Sequence, residues 1–193
     1  MNINKFFILI FFASFIFSSC KKEVEGCTDT LADNYDAEAS VSKPEDCTYQ
    51  KRFTGDYTCT FGCKGSLAGV FQSADMNVSE LAVKSEVNMI IQSTIGPIPV
   101  KGTIISKDSV KIDAVLDNLE VVPEIFFPGT GSTPIKATAV IKSTLAISSD
   151  NKVLSGPIKM SMSNKEPVVI SGIPIPAGTL KLDDTCDFTG TKK

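Results

Sequence analysis

The chain has 193 residues, 42% of them apolar, with 19 basic and 22 acidic side chains and a net charge of −3. Histidine and tryptophan are both absent, which removes the usual general base, the commonest zinc ligand and every Ser-His-Asp arrangement. Fourteen acids meet fourteen bases between Arg52 and the end, so no basic stripe exists and nucleic acid is not an expected partner.

Taken in order, the chain opens with one positive residue, Lys5, then an apolar run from Phe6 to Phe17 that ends in Ser18 and Ser19. A positive start, an apolar centre and small residues at the end make a secretory signal, residues 1–19. The run is too short to cross a bilayer, which takes roughly 20 apolar residues. The sequence Phe17-Ser18-Ser19-Cys20 resembles the lipobox of bacterial lipoproteins, with Phe17 in place of the preferred Leu. That resemblance implies a diacylglycerol on the Cys20 thiol and a further acyl chain on its amine, enough for stable anchoring. Residues 20–25 then form a short charged tether, similar to segments that direct lipoproteins of Bacteroidota to the cell surface. The expected address is the outer membrane, facing either the periplasm or the exterior.

Residues 26–49 are acidic: Asp29, Asp33, Asp36, Glu38, Glu45 and Asp46 stand against Lys43 alone. Gly26, Cys27, Thr28, Asp29, Ala32, Asn34, Tyr35, Ala39 and Cys47 resemble a short module of secreted Bacteroidota proteins. So small a segment cannot bury a sufficient core, which predicts a Cys27–Cys47 staple. Asp29, Asp33, Asp36 and Asp46, with Asn34, offer hard oxygen ligands of the kind a structural Ca²⁺ takes. The EF-hand alternation is missing, so a solvated acidic face is the simpler reading and no cofactor is required.

From residue 52 to 193, period-2 alternation recurs. Phe53, Tyr57, Cys59 and Phe61 share a face. Leu81, Val83, Val87, Met89 and Ile91 form a second run, and Val110, Ile112, Ala114 and Leu116 a third. Runs over 135–147, 154–162 and 180–188 follow, each bounded by Gly-, Asn- or Asp-rich turns. No stretch carries a helical period. The fold expected is mostly β: an antiparallel barrel or barrel-like sandwich, preceded by the stapled module and the signal helix. Gly96-Pro97-Ile98-Pro99 echoes Gly172-Ile173-Pro174-Ile175-Pro176; prolines cannot donate to a ladder, which places both copies at strand starts or edges.

The two ends of this domain, Phe53-Thr54-Gly55-Asp56-Tyr57 with Cys63 and Cys186-Asp187-Phe188-Thr189-Gly190, resemble the lipocalin-like domains of Bacteroidota lipoproteins. The resemblance implies that first and last strands are neighbours, joined from Cys186 to Cys63 or Cys59, with Cys63 at the family position. Cys59 and Cys63 lie roughly 13 Å apart on an extended strand and do not bridge each other. Cys59 then reads as a small buried hydrophobe.

Gly129-Thr130-Gly131-Ser132 has no following Lys and is no phosphate loop, and Gly65-Ser66-Leu67-Ala68-Gly69 is no nucleophile elbow. Asp29-Thr30-Leu31 and Asp108-Ser109-Val110 resemble the Bacteroidota O-glycosylation acceptor, at Thr30 and Ser109. Met89, Met160, Met162, Phe126 and Phe127 either line an apolar cavity or fill a core. The function expected is a non-enzymatic, membrane-anchored β domain binding an apolar or amphipathic ligand in its interior. The alternative is a surface or structural module with a filled core that binds protein or glycan through its loops. A cavity of several hundred Å³ marks the first, a packed interior the second.

Overall fold

A computed structural model describes residues 22–68, 72–93, 96–126, 133–170 and 172–193. The expected signal segment and Cys20 lie outside the described residues, as do Phe127 and the 129–132 loop. The chain divides into two compact units, one holding the residues up to Thr30 together with Asn34–Cys47, the other Leu31–Asp33 and Thr48–Lys193.

The small unit is held by covalent and polar links rather than by a core. Strand β1 (Glu25–Gly26) pairs in parallel with β2 (Val41–Ser42). Cys27, 2% exposed, is bonded to Cys47 with Cα atoms 5.1 Å apart. Pro44 opens a 3₁₀ turn over Pro44–Asp46, where its missing N–H costs nothing. Thr28 Oγ1 donates to Ser42 Oγ at 2.8 Å, Asn34 Nδ2 donates to the Asp46 carbonyl at 2.8 Å, and Lys43 pairs with Glu25.

The large unit opens with a four-residue helix, α1 (Gln50–Phe53). Strands β3 (Gly55–Cys63), β4 (Ser73–Glu80), β5 (Glu86–Ser93), β6 (Gly96–Ser106), β7 (Ser109–Val121), β8 (Ile135–Ile147) and β9 (Val153–Asn164) then run up and down in sequence order. A short hairpin, β10 (Val168–Ile170) with β11 (Ile173–Ile175), precedes the last strand, β12 (Lys181–Lys192). β12 pairs with both β9 and β3, so the eight long strands close into an antiparallel barrel. Alternation does the work: Tyr57, Cys59, Met76, Val87, Met89, Val110, Leu145, Leu154 and Phe188 point inward and are buried, while Thr, Lys and Asp side chains face out. A polar exterior around an apolar interior is the reverse of a membrane-spanning barrel.

Three details differ from the sequence reading. Phe53 belongs to α1, not to the first strand, and is fully buried there with its carbonyl accepting from Tyr57 Oη at 2.8 Å. Leu81 and Val83 lie in the β4–β5 turn, closed by the Glu86 N–H donating to the Val83 carbonyl at 3.0 Å. Strand β4 carries only a faint period in the sequence, because Ala74, Met76 and Val78 alone mark its inner face among polar neighbours.

The wall is not uniform. β6 pairs with β5 from Gly96 to Thr103 but with β7 only from Gly102 onward. The Ile104 N–H donates toward β5, to Ser85 O at 2.7 Å. Odd-numbered residues of β6 therefore aim their main-chain groups at β7, and two of them are Pro97 and Pro99. With no N–H to give, they end that ladder. The echo motif thus sits at a strand start and an edge, and Pro174 likewise sits in β11, paired on one side with Val169.

Candidate functional site

Three places in the barrel unit can do chemistry or binding: its interior, its two ends and its outer wall. At one end α1 covers the core. Gln50, fully buried, donates through Nε2 to the carbonyls of Leu81, Val83 and Glu86 at 2.7–3.0 Å, stitching the helix to the β4–β5 turn. Arg52, 4% exposed, reaches Asp108 Oδ1 at 2.7 Å and Asn151 Oδ1 at 2.9 Å. Gln50 Oε1 and Arg52 Nη2 are buried and have no hydrogen-bond partner among the described residues. Lys192 donates to the Arg52 carbonyl at 3.2 Å and lies 5.6 Å over the Tyr57 ring; burial lowers its pKa.

At the other end two polar side chains draw the connecting segments inward. Asp184 accepts from the Gly65 and Leu67 N–H groups at 2.9 and 3.2 Å, which seats Leu67 in the barrel mouth at 2% exposure. Asn164, 3% exposed, donates to the Glu166 and Pro176 carbonyls and accepts from Leu180 N–H, pinning the approach to β12.

Between these plugs the interior is full. One internal space measures about 30 Å³ and is lined by Leu67, Ile98, Leu116, Leu119, Phe126, Met160 and Met162. A second, of about 10 Å³, touches Val121, Pro123 and Leu182. Such spaces hold a water or two, whereas small-molecule sites run to roughly 300–1,000 Å³. Gly102 shows how tight the packing is: a Cβ there would meet Val110 Cγ2 at 2.6 Å and Met89 Cε at 3.0 Å. Met89, Met160, Met162 and Phe126 therefore fill the core.

The cysteines fall as the sequence and the family resemblance implied. Cys63 is bonded to Cys186, its register partner across the β3–β12 seam, with Cα atoms 4.0 Å apart. Cys59 is free, fully buried, and its thiol is pushed up to about 12 by burial. Cys63, Asp184 and Cys186 bring two sulfurs and a carboxylate oxygen within 4.8 Å of one another, but the sulfurs are joined and offer no thiolate to a metal.

Two of the suggested Ca²⁺ ligands accept backbone hydrogen bonds. Asp33 belongs to the large unit and accepts from the Lys51 N–H at 3.1 Å. Within the small unit, Asp36 Oδ1 accepts from its neighbour Glu38 N–H at 2.9 Å. Asp29, Asp36 and Asp46 do not place three ligand oxygens within 4.8 Å. Of the two glycosylation candidates, Thr30 is exposed in a turn, while Ser109 is half-buried at the first position of β7, between Ser106 and Ala146.

The outer wall holds an open groove of about 560 Å³ across β8, β9 and β12. Two cross-strand rows form it. Val140, Ser161 and Asp183 stand side by side in one; Lys142, Lys159 and Thr185 stand side by side in the next. Lys142 leans 3.9 Å from Asp113. Sequence reading placed these lysines on polar faces but had no means of setting them opposite each other. Compared with models of known families, with curated proteins and with solved structures, the chain matches none.

Proposed function

We propose that this chain is an exported, lipid-anchored protein of the cell envelope whose barrel is a rigid, non-enzymatic interaction module, presenting its wall and loops to a protein or glycan partner. The observation that carries this reading is the tightly packed interior, where the space lined by Leu67, Ile98, Leu116, Phe126, Met160 and Met162 measures about 30 Å³. A closed eight-stranded barrel is compatible with a lipocalin-like ligand site, but the volume supports the alternative, since a barrel of this size either fills with side chains or holds one small ligand. Anchoring rests on the sequence around Cys20, and the outer membrane follows from it, facing the periplasm or the exterior.

Mass spectrometry of the protein purified from its native membranes tests both halves. The expected result is acylation at Cys20 and no stoichiometric apolar molecule carried along, with any glycan at Thr30 or Ser109 read in the same spectrum. A retained leader, or an apolar ligand recovered at one per chain, would contradict it.

A further inference from the structure

Where β6 and β7 part, one strand edge keeps main-chain groups that no rung takes up. Among the described residues the β6–β7 ladder runs from Ser106↔Ser109 to Gly102↔Ile112 and goes no further, while β7 stays paired with β8 through Leu116↔Ala139. The register fixes where these groups point. Thr103 faces Lys111 across the ladder, so Lys111, Asp113 and Val115 aim their N–H and C=O groups at β6, and Ala114 and Leu116 aim theirs at β8. Val115 lies past the last rung, with its side chain 64% exposed on the outer wall. The two lips are protected differently. Pro97 and Pro99 leave β6 with acceptors alone, a common way to keep an edge from being extended. β7 has no proline from Asp113 to Val121. Its bulge between Leu116 and Leu119, with Asn118 at φ 58°, confines the open edge to the stretch before it.

From this we infer that an extended segment of a partner protein adds as a strand along residues 113–117 of β7. The main chain sets the class of occupant. A donor and an acceptor on one residue, repeating about every 7 Å along a strand, match an extended polypeptide and not a sugar ring. Side chains narrow it. The guest residue opposite Val115 points outward beside that isopropyl group and is apolar. Its neighbours point inward over Ile98 and Leu116, where the packed interior admits only Gly or Ala. A second copy of this chain fits less well. β7 laid antiparallel on β7 through Val115 sets Asp113 of each copy opposite Asp117 of the other, and like charges so placed destabilise a sheet.

This inference rests on the surface-binding reading and names its partner as an extended peptide. The test titrates the isotope-labelled full chain with a heptapeptide that alternates valine and alanine between terminal lysines. The control is the same peptide N-methylated at its valines, which keeps side chains and charge and removes the donors. The first peptide should give saturable amide shifts over residues 113–117 and slow hydrogen exchange at Val115; the control should give neither. Val115→Pro removes the edge N–H without touching a β8 rung, and should weaken binding about tenfold. Pro97→Thr with Pro99→Thr gives β7 a partner of its own and should weaken binding too. That double variant should unfold no more easily than the parent, which separates lost binding from lost folding. No saturable shift on β7 at millimolar peptide, equal binding of the N-methylated control, or a double variant that binds as well as the parent would overturn the inference. A dimer that protects Val115 in the absence of peptide would overturn it as well, by making a second copy the occupant. Each of these leaves the surface-binding reading standing; an apolar ligand found inside the barrel would remove that reading instead.

Discussion

The barrel has two seams of opposite character. Where β12 meets β3, pairing is continuous from Cys186↔Cys63 to Lys192↔Tyr57, and a disulfide crosses it. Phe61 and Phe188 add a tilted ring pair 5.2 Å apart beneath it. Where β6 meets β7, the ladder stops at Gly102↔Ile112, and Pro97 and Pro99 face the strand they cannot bond. One seam joins the two ends of the domain and is locked covalently; the other joins strands adjacent in sequence and is left partly unpaired. The difference follows from loop entropy. Bringing together segments 123 residues apart is the costly closure, whereas β6 and β7 are tied by a two-residue turn at Lys107-Asp108 and stay together without a full ladder.

The largest expected effect comes from cutting the locked seam. Replacing Cys63 and Cys186 by Ala together should cost about 5 kcal/mol in the chain-entropy model for a loop of this length, read by denaturant unfolding. Alkali attacks the same seam from within. Burial raises the pKa of both Cys59 and Tyr57, the Cys59 thiol from 9.0 to about 12. Groups that hold their protons more tightly when folded contribute full stability below the unfolded value, so stability should fall as pH climbs from 9.0 toward about 12. A melting curve against pH checks this, and a thiol reagent at pH 8 should label Cys59 only after unfolding.

The open seam yields smaller changes. Gly102→Ala, at the last rung of the β6–β7 ladder, should destabilise by about 1–3 kcal/mol through overpacking against Val110 and Met89. Pro97→Thr with Pro99→Thr restores two donors toward β7; hydrogen exchange should then slow at β6 and β7, with a gain of about 1 kcal/mol at most. Smallest of all, Lys159→Glu turns a like-charge pair into an opposite one and should add about 0.2–1 kcal/mol by the same unfolding measurement.

Much of this fold was legible because a strand with one buried face writes its period directly into the chain, as Val110, Ile112, Ala114 and Leu116 do. The locked seam was legible only through the resemblance at the domain's two ends, which left Cys63 and Cys59 both open as partners of Cys186. What escaped had a physical reason in each case. Leu81 and Val83 continue the alternation of β5 by accident, and it takes the Glu86 N–H on the Val83 carbonyl and the Gln50 amide on the carbonyls of Leu81, Val83 and Glu86 to show that the chain turns there. α1 is four residues long, too short for any helical period to register. Arg52 and Asp108 meet across 56 residues, and Lys142 faces Lys159 only through the β8–β9 register, which no single strand encodes. Whether the interior is hollow depends on how Leu67, Phe126 and Gly102 fit together, and side-chain volume does not appear in a periodic pattern.

The central claim is that the barrel is full and that recognition takes place on its outside. Methyl resonances of Met160 and Met162, which line the internal space of about 30 Å³, report on it directly. Titrating the protein with a neutral long-chain alcohol should leave both unmoved at concentrations well above micromolar. Saturable shifts of those two methyls, with one alcohol bound per chain, would contradict the account.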